Sequence, residues 1–179
     1  MERMARFGAS YNSCVTDGDR FHKNYHQLPV SEWIRIRDGA LFLSDTGLGP
    51  KVHQIDNSCF RLTFQTVIPA RTYLTETGTV NDIPFRKAIF KELATEAVKK
   101  MHSANWGHGD LTLDNLGVTL ILGYPTIKIL DPDTMYRIDQ GRHEVWLIRH
   151  MRSFDLSPDQ YDEFVAYDFL NWAEELDEL

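Results

Sequence analysis

The feature that most constrains the fold is an octapeptide, HGDLTLDN at residues 108–115, together with the segments that flank it. Before it, apolar residues recur at helical spacing over residues 85–104. After it, two β-type segments, LGVTLILG and TIKIL, are split by Gly123 and Pro125, which predicts a hairpin running directly into Asp131. A helix, a polar loop and a hairpin ending at an acid therefore form the predicted centre of the molecule.

The N-terminal third predicts a β-rich unit with one helix. Asp17-Gly18 lies between two short mixed segments and indicates a hairpin. After Pro29, the segment VSEWIRIRDGALFL predicts a helix that is interrupted near Gly39. KVHQID and CFRLTFQTVI predict two further strands, the second continuing to Pro69.

The C-terminal segment is acidic and helical in pattern. Residues 153–179 contain nine Asp and Glu and no Lys or Arg, so the net charge of −7 belongs to this segment. Ser157-Pro158 is a good start for a helix, expected at about residues 157–177, with most acids opposite its apolar stripe. The rest of the chain is nearly neutral, which argues against nucleic acid as a partner.

Length and composition predict one domain, or two small lobes sharing a cleft. The chain has 179 residues, 42% of them apolar, which is enough for a sizeable core. No apolar run approaches a membrane span, the first residues do not resemble a signal peptide, and Cys14 and Cys59 are too few for a disulfide framework. We therefore expect a cytoplasmic protein without a membrane partner.

The residue types around the octapeptide suit phosphoryl transfer. Such a site needs a carboxylate that orients the attacking hydroxyl, and hard oxygen ligands that hold Mg²⁺ on the nucleotide phosphates. Asp110 and Asn115 have the spacing of base and amide in the kinase pattern H-x-D-x-x-x-x-N. Asp131 follows a short apolar strand, as the second metal ligand does.

The octapeptide resembles the catalytic loop of the protein-kinase-like superfamily. Its HGDL form is similar to that of atypical kinases, including the kinase of the KEOPS tRNA-modification complex, the RIO kinases, and the antibiotic and choline phosphotransferases. The resemblance implies that Asp110 is the catalytic base, that Asn115 and Asp131 bind metal, and that His108 shapes the loop. The DFG position reads Asp-Pro-Asp at 131–133. The motif lacks the Phe and Gly that DFG-type switching uses, but it keeps the metal-binding Asp131.

The same resemblance implies a nucleotide site in the N-terminal lobe, residues 1–68. Gly8, in FGASYN, would cover the phosphates, and Lys23 would bind the α- and β-phosphates. Either Asp38 or Glu32 would pair with Lys23. Asp38 is the preferred candidate and is counted among the residues expected to bind the nucleotide.

Between the lobes, residues 65–69 would form the hinge. Gln65 and Val67 are the residues from which backbone hydrogen bonds to adenine are expected. Residues 69–179 would then form the C-terminal lobe.

The expected fold is therefore α+β: a bilobal kinase-like domain with a β-rich N-lobe and a truncated helical C-lobe. The expected function is that of a minimal Ser/Thr protein kinase using ATP and Mg²⁺ on a protein substrate, or one dependent on an activating partner protein. Compact kinases of this kind occur among viral proteins and bacterial effectors, so a host cytoplasm is also an expected location. A pseudokinase scaffold and a small-molecule phosphotransferase are the alternatives.

Overall fold

The protein is described by a computed structural model over residues 12–76 and 82–179. Gly8, and with it the turn expected to cover the phosphates, lies outside the described residues. Within them the chain forms a mixed α+β structure with three antiparallel sheets. The predicted α+β class is confirmed at this level.

The N-terminal sheet has four antiparallel strands in the order β1-β2-β4-β3. Its strands are β1 (Asn12–Asp17), β2 (Arg20–Tyr25), β3 (Val52–Asp56) and β4 (Arg61–Gln65). The predicted first hairpin is confirmed, and Gly18 in its turn has a φ of +59°, a conformation that favours glycine. This sheet places Lys23 near the middle of β2.

Helix α1 (Val30–Asp45) follows the first hairpin and crosses Gly39 without a break. The expected interruption was wrong. A single glycine costs a helix only about 1 kcal/mol relative to alanine, and here it permits a close approach. A Cβ at Gly39 would come within 3.3 Å of the Met135 side chain, so the glycine lets α1 pack against the second half of the molecule.

The second half combines short strands with helices. Its elements are β5 (Ile68–Pro69), α2 (Ala70–Thr75), α3 (Ile83–Ser103), β6 (Trp106–Gly107), β7 (Leu116–Ile121), β8 (Tyr124–Ile129), β9 (Tyr136–Arg137), α4 (Ile138–Gly141), α5 (Val145–Arg152) and α6 (Tyr161–Glu178). One sheet has the order β5-β7-β8, and β6 pairs with β9. The strand expected to reach Pro69 instead ends at Gln65, because β5 leaves the first sheet and pairs with β7.

The predicted helix and hairpin around the octapeptide are present, with two local differences. The buried face of helix α3 shares Ala97 and Met101 with the expected stripe, but the N-terminal end of that stripe is wrong, since Phe85 is 69% exposed. The buried residues of α3 are Phe90, Ala94, Ala97, Val98 and Met101. The β7–β8 turn lies at Leu122 and Gly123, both with positive φ, as a two-residue hairpin requires.

The described residues form three apolar clusters, and the third packs α5 against α6 through Leu147 and Phe164. In the first, the N-terminal sheet packs on α1 through Tyr25, Trp33 and Ile36. In the second, α3, the β7–β8 hairpin and α6 enclose the larger core, with Trp172 of α6 almost fully buried. Among residues 12–76 and 82–179, no helix combines the length and apolar character needed to cross a membrane.

Candidate functional site

The register of the β7–β8 hairpin brings Asn115 and Asp131 to the same end of the sheet. Leu116 lies opposite Ile129, and the Leu130 amide donates to the Asn115 carbonyl at 2.9 Å. The next residue, Asp131, has a φ of +55°, in the left-handed region that is uncommon for residues other than glycine. The hairpin therefore presents these two oxygen-bearing side chains from adjoining strand ends.

Asp110 and Asn115 are linked within the loop. The Asn115 side-chain amide donates to the Asp110 carbonyl at 2.7 Å, and Asn115 is 7% exposed. This bond uses the nitrogen of the Asn115 amide, whose oxygen is the atom a hard cation would accept as ligand. The contact spans the five-residue spacing on which the sequence interpretation depended.

Lys23 reaches across from the N-terminal sheet to the residues that follow the hairpin. Its Nζ lies 2.6 Å from Asp131 Oδ1 and 2.8 Å from Asp133 Oδ2, and the residue is 8% exposed. The Tyr25 hydroxyl, two residues along β2, donates to Asp133 Oδ1 at 2.8 Å. One strand of the first half thus binds both acids of the Asp-Pro-Asp segment.

The three charges of this cluster perturb one another. Burial alone would raise the pKa of Asp131, but the Lys23 ammonium outweighs it and holds that pKa at about 2. Burial and the neighbouring Asp131 carboxylate raise the pKa of Asp133 to about 7. Burial opposes the charged form of Lys23, yet the two acids keep its pKa above its ordinary value. Asp131 is the acid that stays ionised, as a metal ligand must.

The acid expected to pair with Lys23 is a different one in this structure. Asp38 is bound to the adjacent Arg37 at 2.9 Å, and its side chain is 48% exposed. The reason is helical geometry: the buried face of α1 carries Trp33, Ile36 and Leu43, and Asp38 projects from the opposite side. Glu32, the other candidate, is half-buried on the same helix, and the Lys23 ammonium forms its ion pairs with Asp131 and Asp133 instead.

The expected hinge residues lie between the two halves. Gln65 ends β4 and is exposed, and its backbone amide donates to the Lys51 carbonyl at 2.8 Å. That amide is therefore engaged within the sheet, and the expected backbone hydrogen bond from Gln65 to adenine stays a prediction. Val67 lies between β4 and β5, against Gly117 of β7. It remains the candidate hinge contact.

His108 is a structural residue of the loop. It is fully buried, and its Nε2 donates to the Leu130 carbonyl at 2.7 Å. Because a carbonyl can only accept, Nε2 carries a proton, and Nδ1 can accept the Asp110 amide at 3.3 Å. The Thr134 hydroxyl donates to the His108 carbonyl at 2.7 Å. The loop and the Asp-Pro-Asp segment are thus joined directly.

Asp168 of α6 is a residue of this site that the sequence interpretation missed. It is 1% exposed and accepts the backbone amides of His108 and Gly109 at 2.8 and 3.0 Å. His102 Nε2 lies 2.8 Å from the same carboxylate. The signal was visible in the sequence, since Asp168 stands within the apolar stripe of α6, between Phe164 and Trp172 at four-residue spacing.

A second acid of α6 binds the other end of the loop. Glu175 Oε2 accepts the Leu113 amide at 3.0 Å and is bound by Arg71 Nη2 at 2.8 Å. Arg71 also holds Asp114 at 2.7 Å, which gives that acid a structural role. The acidic C-terminal helix is therefore the support of the octapeptide backbone rather than only a solvated face.

The residues present fit a Mg²⁺-nucleotide. The described residues contain no group of three or more His, Cys, Asp or Glu placed to hold a metal ion. Mg²⁺ bound to nucleotide needs only one or two protein oxygens, because phosphate oxygens and water complete its shell. Asp131 and Asn115 are of the right chemical type, and Lys23 supplies a cation for phosphate.

A scan against models of protein families found no match, and a search of curated proteins found none.

Proposed function

We propose that this protein is an ATP- and Mg²⁺-dependent phosphotransferase with a bilobal, kinase-like arrangement, acting as a minimal Ser/Thr protein kinase on a protein partner. The observation that carries the proposal is the contact of Lys23 with Asp131 at 2.6 Å. These residues are 108 positions apart and come from separate halves of the molecule. The hairpin register that places Asn115 beside Asp131 supports the same reading.

In this proposal each side chain has one task. Asp110 accepts or orients the proton of the attacking hydroxyl, and Lys23 binds the α- and β-phosphates. Asn115 and Asp131 hold Mg²⁺, which when bound neutralises charge that develops on the phosphates. Lys23 must then exchange at least one acid for phosphate, and Asp133 and Tyr25 remain to hold the segment in place.

The buried support of the loop favours an enzyme over a scaffold. Asp110 is presented by a backbone whose amides at His108, Gly109 and Leu113 are each bound by an acid of α6. Such support fixes the position of a group that acts in the transition state. A non-catalytic scaffold also has no need of Asp110, Asn115 and Asp131 together, and this chain has all three.

The test is transfer from labelled ATP to a generic protein acceptor in the presence of Mg²⁺. Wild type is compared with Asp110→Asn and Asp131→Asn, which preserve side-chain volume. Asp45→Ala is the control, because Asp45 is an exposed acid at the end of α1. We expect the two site variants to lose transfer and the control to keep it.

Other outcomes select the alternatives. Nucleotide binding without transfer to any protein, including those of a cell extract, would favour a pseudokinase scaffold. Transfer that reaches only small molecules would favour a small-molecule phosphotransferase. Equal transfer by wild type and Asp110→Asn would contradict the assigned base.

A further inference from the structure

Arg35 joins three parts of the molecule beside the candidate site. It lies on α1, and its Nη1 donates to the Met135 carbonyl at 2.6 Å. Its guanidinium carbon lies 3.9 Å from the centre of the Trp146 ring in α5. A planar guanidinium can stack on an aromatic face and donate along its edge at the same time. Arg35 therefore holds α5 and residue 135 against α1.

The carbonyl that Arg35 binds ends the turn carrying the candidate acids. Pro132–Thr134 form a 3-10 turn directly after Asp131, and Met135 follows with no exposed surface. On the other side, the Thr134 hydroxyl is bonded to the catalytic-loop carbonyl of His108. The turn is thus fixed to the loop by Thr134 and to α1 by Arg35.

Burial of the Arg35 guanidinium carries an energetic cost. Burial lowers the pKa of Arg35 to about 10, and Glu32, Asp133 and Glu144 oppose that change. The guanidinium therefore remains charged at neutral pH. Its Nε is buried without a hydrogen-bond partner among the described residues, which costs stability. A buried charge is tolerated here because its other atoms bind Met135 and Trp146.

We infer that Arg35 is a positioning residue for phosphoryl transfer, which acts through the Met135 carbonyl on the placement of Asp131 and Asp133 opposite Lys23. This role rests on the proposed phosphotransfer function. Displacing a group of the reacting site by about 1 Å can lower the rate of the chemical step by about 100-fold.

The experiment uses three variants of the full chain. Arg35→Met keeps the apolar stem against Trp146 but removes the donor. Arg35→Lys keeps a charge and one donor but cannot stack as a plane. Arg37→Met is the matched control, since Arg37 lies two residues away on α1 and pairs with the exposed Asp38. Melting temperatures establish that each variant is folded.

Two readouts separate positioning from a merely structural role. Amide hydrogen exchange over residues 131–137 reports whether the turn is anchored, and kcat and KM for Mg²⁺-ATP report the reaction. For Arg35→Met we expect exchange at least tenfold faster in this segment, kcat about 10- to 100-fold lower, and KM raised by a smaller factor than kcat is lowered. Arg35→Lys should be intermediate in both readouts, and Arg37→Met should behave as wild type.

Two results would overturn the role of Arg35. The first is unchanged exchange over residues 131–137 in Arg35→Met, which would mean that the turn has other anchors. The second is faster exchange with an unchanged kcat, which would mean that the anchor does not serve the reaction. A wild-type protein that transfers no phosphate would instead overturn the proposed function, and the exchange data would still decide whether Arg35 holds the turn.

Discussion

The octapeptide and the Asp-Pro-Asp turn meet at one site but are held in opposite ways. The octapeptide is held through its backbone, because Asp168 and Glu175 of α6 accept its amides. The turn is held largely through side chains of the first half, with Lys23 and Tyr25 bound to its acids. A loop held through its backbone keeps those supports when ligand binds, whereas a turn held by its acids must give up a contact.

The largest expected effect is that of removing the buried acid behind the octapeptide. Asp168→Ala leaves the amides of His108 and Gly109 buried without acceptors, which should lower the free energy of unfolding by about 3 kcal/mol. Urea denaturation measures it. Asp162→Ala is the control, as Asp162 lies on the same helix with its side chain 88% exposed. An unchanged unfolding midpoint for Asp168→Ala would show that α6 does not support the loop.

A smaller effect is expected from the side-chain contacts of the turn. Tyr25→Phe removes one hydroxyl that donates to Asp133 at 2.8 Å, while the ring stays in the core of the first half. The loss should be about 1 kcal/mol, measured in the same denaturation experiment. If Tyr25→Phe cost as much as Asp168→Ala, the contrast between the two regions would fail.

The second backbone anchor, at Glu175, should contribute less than Asp168 because it is partly exposed. Glu175→Gln keeps an oxygen for the Leu113 amide but removes the charge that binds Arg71. The expected loss is about 0.5 kcal/mol. It should fade in 1 M salt, since exposed charges are screened there. A loss that persists at high salt would mean that the bond to Leu113, rather than the ion pair, is affected.

The smallest expected effect is a pH dependence of the free energy of unfolding. It arises from His150, whose Nε2 donates to the Gly109 carbonyl of the octapeptide. Burial lowers the pKa of His150 in the folded state. The unfolded chain therefore binds a proton more readily, so stability is complete above the ordinary pKa of about 6.5 and is lost as pH falls below it. His150→Gln should make the free energy of unfolding less dependent on pH between pH 7 and pH 5. An identical pH profile in the variant would contradict this assignment.

The parts of the fold that local chemistry determines could be predicted from the sequence. Turn residues marked the hairpins at Gly18 and Gly123, and Ser157-Pro158 marked the helix start before α6, where Ser157 also forms a capping box with Gln160. Gly39 was misinterpreted because its reason is a contact with Met135, which is distant in sequence. Glycine can either interrupt a helix or allow close packing, and only the folded structure shows which of the two applies at Gly39.

The candidate site was only partly predictable, for a similar reason. The spacing of Asp110, Asn115 and Asp131 could be read directly, but the partner of Lys23 depends on which face of α1 is buried. The spacing of Trp33, Ile36 and Leu43 defines that face and excludes Asp38 from it. The pairing of Asp133 with Lys23 depends on the contact between the two halves of the folded chain, which the sequence does not show.

The most direct test of the central claim is calorimetric titration with ATP, with and without Mg²⁺. Lys23 and Asp131 are proposed to form a metal-nucleotide site. Wild type should therefore bind ATP more tightly with Mg²⁺ present, and Asp131→Asn should lose that enhancement while Asp45→Ala keeps it. Binding that is indifferent to Mg²⁺, or equally enhanced in Asp131→Asn, would contradict the account.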